Sequence, residues 1–395
     1  MFFKMPFILG GYIIASVLLD NFIPLEAKQF LYTLSLSIKS LIVFLLPLII
    51  FGLLFRAAVT LSRNASWVIG LILVGVCISN FTSTFLSHYV GVWVYGFDHT
   101  IILPQQSTSL KALWFWELPK LIANDKAMFA GILSGLLLSF ITKNWTYHIS
   151  EFFEKVVGKV LSLFYYLIPI FIMGFIVKLQ FDGVITTIVK DYTLIFSVVA
   201  LSQFGYICGI YFLLSKGRFV ECLQSVKNML PAAISGFSTM SSAAAMPLTL
   251  IGVQNNARQK DLAKSVVPAT VNIHLVGDCF AIPIFAYAVL KNYDMAEPAL
   301  LDYLIFSFYF VLAKFSVAAI PGGGIIVMLP ILESYLGFNA EMMSLITALY
   351  ILFDPVITAA NVLGNGAFAK MIDRTVIFLK SPHTELLLTN EEEAR

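Results

Sequence analysis

Ser235-Gly236-Phe237-Ser238-Thr239-Met240-Ser241-Ser242-Ala243-Ala244-Ala245-Met246-Pro247 breaks an apolar segment, 222–254, that otherwise reads as helix. A second apolar segment, 300–338, is broken in the same way by Ala318-Ala319-Ile320-Pro321-Gly322-Gly323-Gly324. One reading of each break is an ordinary loop between two shorter helices, but the breaks carry too few polar side chains for a solvated loop. Non-helical backbone inside a bilayer is tolerated only where protein covers it or where it lines a wet cavity. Paired interruptions of this kind therefore point to a binding site near the bilayer midplane.

Outward from the breaks, the rest of the chain has the composition of membrane helix. Of its 395 residues, 59% are hydrophobic and 12% charged, and the mean hydropathy is +0.88. Soluble domains carry about 25% charged residues. Segments near 6–23, 36–60, 67–94, 126–143, 158–178, 189–215, 265–290 and 341–369 approach or exceed the roughly 20 apolar residues that a spanning helix needs. The stretch 95–125, with Gln105, Gln106, Ser107, Trp114 and Trp116, reads as a polar-to-interfacial connection. Lys4, Arg56, Arg63, Lys143, Lys155, Lys216, Arg218, Arg258, Lys260, Lys264, Lys370 and Arg374 fall on one side of this topology. Asp20, Glu26, Asp98, Asp182, Asp294, Glu297 and Asp302 dominate the other, so both termini are expected in the cytoplasm. No cleavable signal is expected at the first span.

Several function classes drop out. A net charge of +2 with no dense basic cluster argues against nucleic acid as a partner. Cys77, Cys208, Cys222 and Cys279 are scattered through apolar runs and form neither a disulfide framework nor a metal spacing. His99, His274 and Asp278 make no nucleophile–base motif, and no cofactor motif is present, so neither an enzyme nor a cofactor is expected.

The polar residues that remain are few and patterned. Asp354, Thr358, Asn361 and Asn365 are spaced 4, 3 and 4 apart and share one helix face. A carboxylate at mid-helix is costly in lipid, so that face must look into a polar site. Asp354 is then either a ligand for a positive group or a structural counter-ion. Pro355 lacks a backbone donor and frees a carbonyl one turn earlier. Thr239, Ser241 and Ser242 offer hydroxyls beside a helix N-terminus, which suits an anionic carboxylate. Ala243, Ala244 and Ala245 let backbone approach, although Ser/Ala runs also serve plain helix packing. Gly322, Gly323 and Gly324 can reach backbone angles closed to other residues, which suits a gate. His274 and Asp278, four apart, are either a proton-carrying pair or a fixed polar pair. Lys314, the sole charge between 303 and 332, is either a tethered cation near the glycine-rich tip or a side chain snorkelling to the interface.

In this order and spacing, the motifs between 230 and 370 resemble the dicarboxylate/amino acid:cation symporter family, the glutamate-transporter-like elevator transporters. The first break resembles that family's serine-rich hairpin. Pro268-Ala269-Thr270-Val271-Asn272-Ile273-His274 stands where the family has an unwound Asn-Met-Asp-Gly-Thr helix. Ile320-Pro321-Gly322-Gly323-Gly324 resembles the second hairpin's gate, and Asn361-Val362-Leu363-Gly364-Asn365 the end of the last helix. The N-terminal half matches in hydropathy alone. The resemblance implies an all-α membrane protein with eight transmembrane helices, two re-entrant hairpins, inverted repeats and an elevator mechanism. It implies a homotrimer in a bacterial inner membrane, in contact with lipid and a small-molecule substrate.

The domain layout it implies is scaffold helices 1–2 in 1–65, transport-domain helix 3 in 66–94, and scaffold helices 4–5 with an extracellular connection in 95–186. A transport domain fills 187–395: helix 6, hairpin 1 near 222–254, helix 7 near 262–292, hairpin 2 near 300–338, helix 8 near 341–372 and a cytoplasmic tail.

By resemblance, Asp354 holds a substrate α-ammonium, Asn361 an α-carboxylate, and Thr358 shapes the pocket. Ile357 stands where acidic-substrate members carry an arginine, and Met240 replaces another arginine found in some members. Dicarboxylate members keep the arginine and lack the aspartate, so Asp354 with Ile357 indicates a neutral amino acid. His274 replaces the sodium-binding aspartate beside Asn272; Asn365 stands where sodium-coupled carriers have a second aspartate, and the third helix near Ile78-Ser79 lacks the tyrosine and threonine oxygens of the family's third sodium site. A neutral imidazole is a poor ligand for a hard cation, so the expectation is sodium-independent transport, with protons as the candidate coupling ion. The rival expectations are a dicarboxylate or acidic amino acid symporter and a channel-like uncoupled member.

Overall fold

The computed structural model describes residues 11, 22–63, 67–96, 110–114, 116, 118–119, 122, 124–141, 143–317 and 322–379. The span expected near 6–23, the Pro321 position and the C-terminal tail lie outside the described residues or nearly so. The described chain is helical and contains no strand.

Helix α1 (Leu25–Arg63) starts just after Pro24, eleven residues earlier than hydropathy places it. Its first turn carries Glu26, Lys28 and Gln29, which mask the helix from an apolar scan. Proline before a helix is no obstacle, since the first N–H groups lack intrahelical partners anyway. Helix α2 (Trp67–Tyr95) and the short α3 (Asn124–Ile141) follow. Helix α4 (Lys143–Phe181) likewise begins well before the expected span at 158, with a polar N-terminal half. Helices α1, α3 and α4 pack on one another. Gly131 and Gly135 on α3 make this close: a Cβ on either would lie 2.8 Å from the carbonyl oxygens of Phe51 and Phe55 respectively. Small residues one turn apart are how membrane helices bring their backbones together.

The second group of helices surrounds the polar face. Helix α5 (Val184–Leu214) leads through Gly217, at φ 76°, into a pair, α6 (Phe219–Thr239) and α7 (Ser242–Asn256). Their connection is Met240 at φ 51°, whose N–H bonds Gly236 O at 2.8 Å, and Ser241, whose Oγ accepts Ala244 N–H at 3.3 Å. A left-handed C-cap and a serine N-cap are thus fused into a two-residue turn. Helix α8 (Lys260–Thr270) is separated from α9 (Val276–Asn292) by a non-helical turn at 271–275. Helices α10 (Leu300–Lys314) and α11 (Gly323–Leu336) pack on each other as a second hairpin.

The last helix, α12 (Ala340–Leu379), is 40 residues long and touches α5 through α9 and α11. It is mostly buried although it is apolar enough for lipid, so it forms the axis of this group. Among the described residues, three segments, Trp67–Tyr95, Tyr192–Leu214 and Glu341–Leu379, are long and apolar enough to cross a membrane.

Candidate functional site

Backbone that leaves a helix must find new partners, and α2 supplies them for the turn at 271–275. Asn80 Nδ2 donates to Ile273 O at 2.7 Å, and Asn80 Oδ1 accepts Leu275 N–H at 3.2 Å. One carboxamide thereby satisfies both sides of the break. Ser79 Oγ lies 2.8 Å from His274 Nε2, and the imidazole rests against Phe368 with centroids 4.4 Å apart. His274 Nδ1 and Asn365 Oδ1 are buried without a hydrogen-bond partner. Asn365 Nδ2 donates to His274 O at 3.3 Å and to Asn361 O at 3.0 Å.

The polar face of α12 forms as its spacing indicates, and each of its four residues is buried. Asp354 Oδ2 accepts the N–H of Gly322 at 2.9 Å, and Oδ1 accepts Thr358 Oγ1–H at 3.0 Å. The carboxylate therefore caps the start of α11, where a helix N-terminus favours negative charge. Gly322 is left-handed at φ 71°, the conformation that lets its N–H serve this bond without strain. Ile357 is fully buried, and its carbonyl lies 2.5 Å from where a Cβ on Gly277 would stand. Only a glycine lets α9 come this close to α12.

Asn361 joins α12 to α9. Its Oδ1 accepts Gly277 N–H at 2.8 Å, and its Nδ2 donates to Asp278 Oδ2 at 3.0 Å. Asp278 Oδ1 accepts Tyr350 Oη–H at 2.6 Å and lies 3.8 Å from Lys314 Nζ. Gly324 packs on this carboxylate, since a Cβ there would overlap Asp278 Oδ1 and Tyr350 Oη.

One pairing differs from the expectation. His274 and Asp278 do not pair: the intervening backbone is a turn and α9 begins only at Val276, so four-residue spacing no longer means one face. His274 turns to Ser79, while Asp278 turns to Tyr350, Asn361 and Lys314. Of the two readings of Lys314, snorkelling drops out: its side chain is fully buried, with Nζ 4.5 Å from the Phe310 ring centroid. Asn272 is exposed and stands outside the cluster.

On the first hairpin the hydroxyls are partly spent locally. Thr239 Oγ1 donates to Ser235 O at 2.8 Å and accepts Ser241 N–H at 3.3 Å, and Ser241 caps α7. Ser242 is buried in the first turn of α7, and Gly323 and Gly324 form the first turn of α11. Tyr350 and Asn80 were missed by the sequence reading. Tyr350 had a signal, because it lies four residues before Asp354 and extends the same polar face by one turn.

The chain matches the sodium:dicarboxylate symporter family over residues 5–375. A stretch of 153 residues, 38% of this chain, is 25% identical to glt-6 of Caenorhabditis elegans, a protein named for sodium-dependent excitatory amino acid transport. That match spans 27% of the relative's length. Family coverage extends through both interrupted segments, the turn at 271–275 and the polar face of α12. This multi-pass helical membrane protein belongs to the sodium:dicarboxylate symporter family.

Proposed function

We propose that this protein is a secondary transporter that moves a small neutral L-amino acid across the inner membrane of a bacterium, without sodium and with protons as the coupling ion. The observation that carries the reading is Asp354, a buried carboxylate beside the hairpin glycines, next to the apolar Ile357. An α-ammonium can replace the Gly322 N–H as its partner, and it brings a full positive charge to the carboxylate where the amide brings only a dipole. Asn361 and Thr358 then stand for the α-carboxylate and the pocket wall. A second carboxylate on the substrate would need a guanidinium. Described arginines sit elsewhere: Arg56 pairs with Glu154, Arg218 with Glu221, Arg63 ends α1, the Arg258 backbone N–H bonds Asp373 at the far end of α12, and Arg374 follows that aspartate.

Sodium independence rests on His274, a neutral ligand held by Ser79 where an anionic oxygen would be needed for a hard cation. The moving unit in this reading is the group of α2 and α5–α12. The scaffold is α1, α3 and α4, and three copies assemble through that scaffold. The two hairpins are the re-entrant gates, and Gly322, Gly323 and Gly324 form the tip that opens.

The test is uptake and thermal-shift screening of all amino acids and of succinate, with and without sodium, in proteoliposomes and detergent. Alanine-, serine- or threonine-sized zwitterions are expected to bind and accumulate, and Asp354→Asn is expected to abolish the response. A preference for succinate or aspartate overturns the substrate assignment. Sodium-driven uptake overturns the coupling assignment.

A further inference from the structure

Helix α10 is fixed at one end by hydrogen bonds and at the other by charge. Near its start, Tyr303 Oη donates to Thr84 O on α2 at 2.7 Å and lies 2.9 Å from Ser87 Oγ. The Tyr303 ring rests against Tyr287 of α9, with centroids 5.8 Å apart. The next side-chain hydrogen bond of α10 stays inside the helix, from Ser307 Oγ to Tyr303 O at 2.8 Å. About three turns beyond Tyr303, α10 ends at Lys314. There the Nζ lies 3.8 Å from Asp278 Oδ1 of α9, with both side chains buried and no hydrogen-bond acceptor for the ammonium. Gly324, in the first turn of α11, packs on the same carboxylate. Both arms of the second hairpin are thus seated on Asp278.

Burying an ammonium without an acceptor is costly. Attraction to Asp278 offsets that cost, and buried pairs of this kind come out close to even against a well-packed apolar replacement. An apolar side chain would therefore hold α10 in place about as well. What the lysine adds is a charge balance that exists in one arrangement only. With the hairpin seated, Asp278 has its cation; with the hairpin lifted, the two charges part.

We propose that Lys314 is the hairpin's built-in closing cation: seated against Asp278, its ammonium latches α10 to α9 and lets the gate shut without a dissolved cation. The proposal rests on the reading of the hairpins as gates given above, and it extends sodium independence from the turn at His274 to the gate itself. Lys314 acts here as a positioning residue and touches no substrate. Asp278 keeps its place when the hairpin lifts, because Tyr350 and Asn361 of α12 hold its two oxygens independently of α10. The hydrogen-bonded root at Tyr303 is the pivot. A latch whose attraction and desolvation nearly cancel keeps the seated and lifted positions close in free energy, as a gate requires.

Ser316 reports on the seat. It is buried two residues beyond Lys314, and its Oγ makes no hydrogen bond, so Ser316→Cys breaks none. The experiment labels full-length Ser316→Cys protein in nanodiscs with N-ethylmaleimide, in sodium chloride or choline chloride of equal ionic strength, and reads modification at position 316 by peptide mass spectrometry. With Lys314 present, labelling is expected to be slow and alike in the two salts. Adding Lys314→Ala leaves Asp278 without a cation, and labelling in choline should rise roughly a hundredfold. Propylammonium, which fits the space of the missing stem, should slow it again. In the further combination with Asp278→Asn the amine has no anion to meet and should leave the rate unchanged. Where Lys314→Ala does not fold, Lys314→Met keeps the stem's volume and is expected to label faster than the lysine protein.

A rate at 316 that the loss of the ammonium leaves unchanged overturns the inference, as does labelling of the lysine protein that slows when sodium replaces choline. That salt comparison needs no change at Lys314 and decides even if every variant there fails to fold. If position 316 never labels, yet reacts once the protein is denatured, the hairpin does not open; the gate reading then fails, and the inference with it.

Discussion

Asp278 is held by a phenol, a carboxamide and an ammonium, and these contribute unequally. The Tyr350 hydroxyl is closest, at 2.6 Å, and donates to a buried anion. Hydrogen bonds to charged groups contribute about 1.5–3 kcal/mol. Lys314 at 3.8 Å acts through charge alone. Tyr350→Phe is therefore expected to lower stability by about 1.5–3 kcal/mol, read as a drop in Tm in detergent. Ser238 supplies the comparison, since its exposed hydroxyl bonds only Ile234 O on its own helix. Ser238→Ala should stay within about 0.5 kcal/mol. Equal effects from the two variants would mean that the phenol does not support the carboxylate. Asn80 follows the same logic on the backbone: Asn80→Ala strands Ile273 O and Leu275 N–H together, the first partly buried and the second buried.

Helices meet around the site through Gly324 and Gly277, and alanine there should act opposite to alanine at Gly209, which faces open space. In α11, Gly324→Ala gains about 1 kcal/mol of helix propensity, but its Cβ would strike Asp278 Oδ1 and Tyr350 Oη. Overpacking of this kind costs about 1–3 kcal/mol, and neither struck group can move without losing its hydrogen bond. The overlap wins, so Gly324→Ala is expected to lower Tm and weaken amino acid binding together. Gly277→Ala should behave in the same way, because its neighbours are Ile357 O at 2.5 Å and Asn361 Oδ1 at 3.0 Å. Gly209 in α5 has nothing within 4 Å of an added Cβ, and Gly209→Ala is expected to hold or raise Tm by the propensity term alone. A stable, fully binding Gly324→Ala protein would show that the α11 tip does not sit on the carboxylate.

At the scale of the whole molecule, α1, α3 and α4 form one packed group and the remaining helices another, and they meet at places such as the Phe129–Tyr309 ring contact, 6.2 Å between centroids. If one group slides on the other, bridging that contact stops movement while leaving the site intact. A Phe129→Cys, Tyr309→Cys pair joined by a short thiol reagent, with Cys77 and Cys208 replaced by alanine, should bind amino acid normally and lose uptake; uptake that survives complete cross-linking removes the sliding motion. Helical membrane character, both interruptions and the polar face from Asp354 to Asn365 were legible in the chain, because each depends on hydropathy or on spacing within one element. The partners were not. His274 meets Ser79 across 195 positions, and Asp278 meets Tyr350 across 72. Which residues meet is decided by helix crossings and by a turn at 271–275 that takes His274 out of register with Asp278. The burial of Lys314 belongs with these contacts. An apolar run with one lysine reads alike at a membrane surface or in a core, and only the packing of α9, α10 and α12 places an anion beside it.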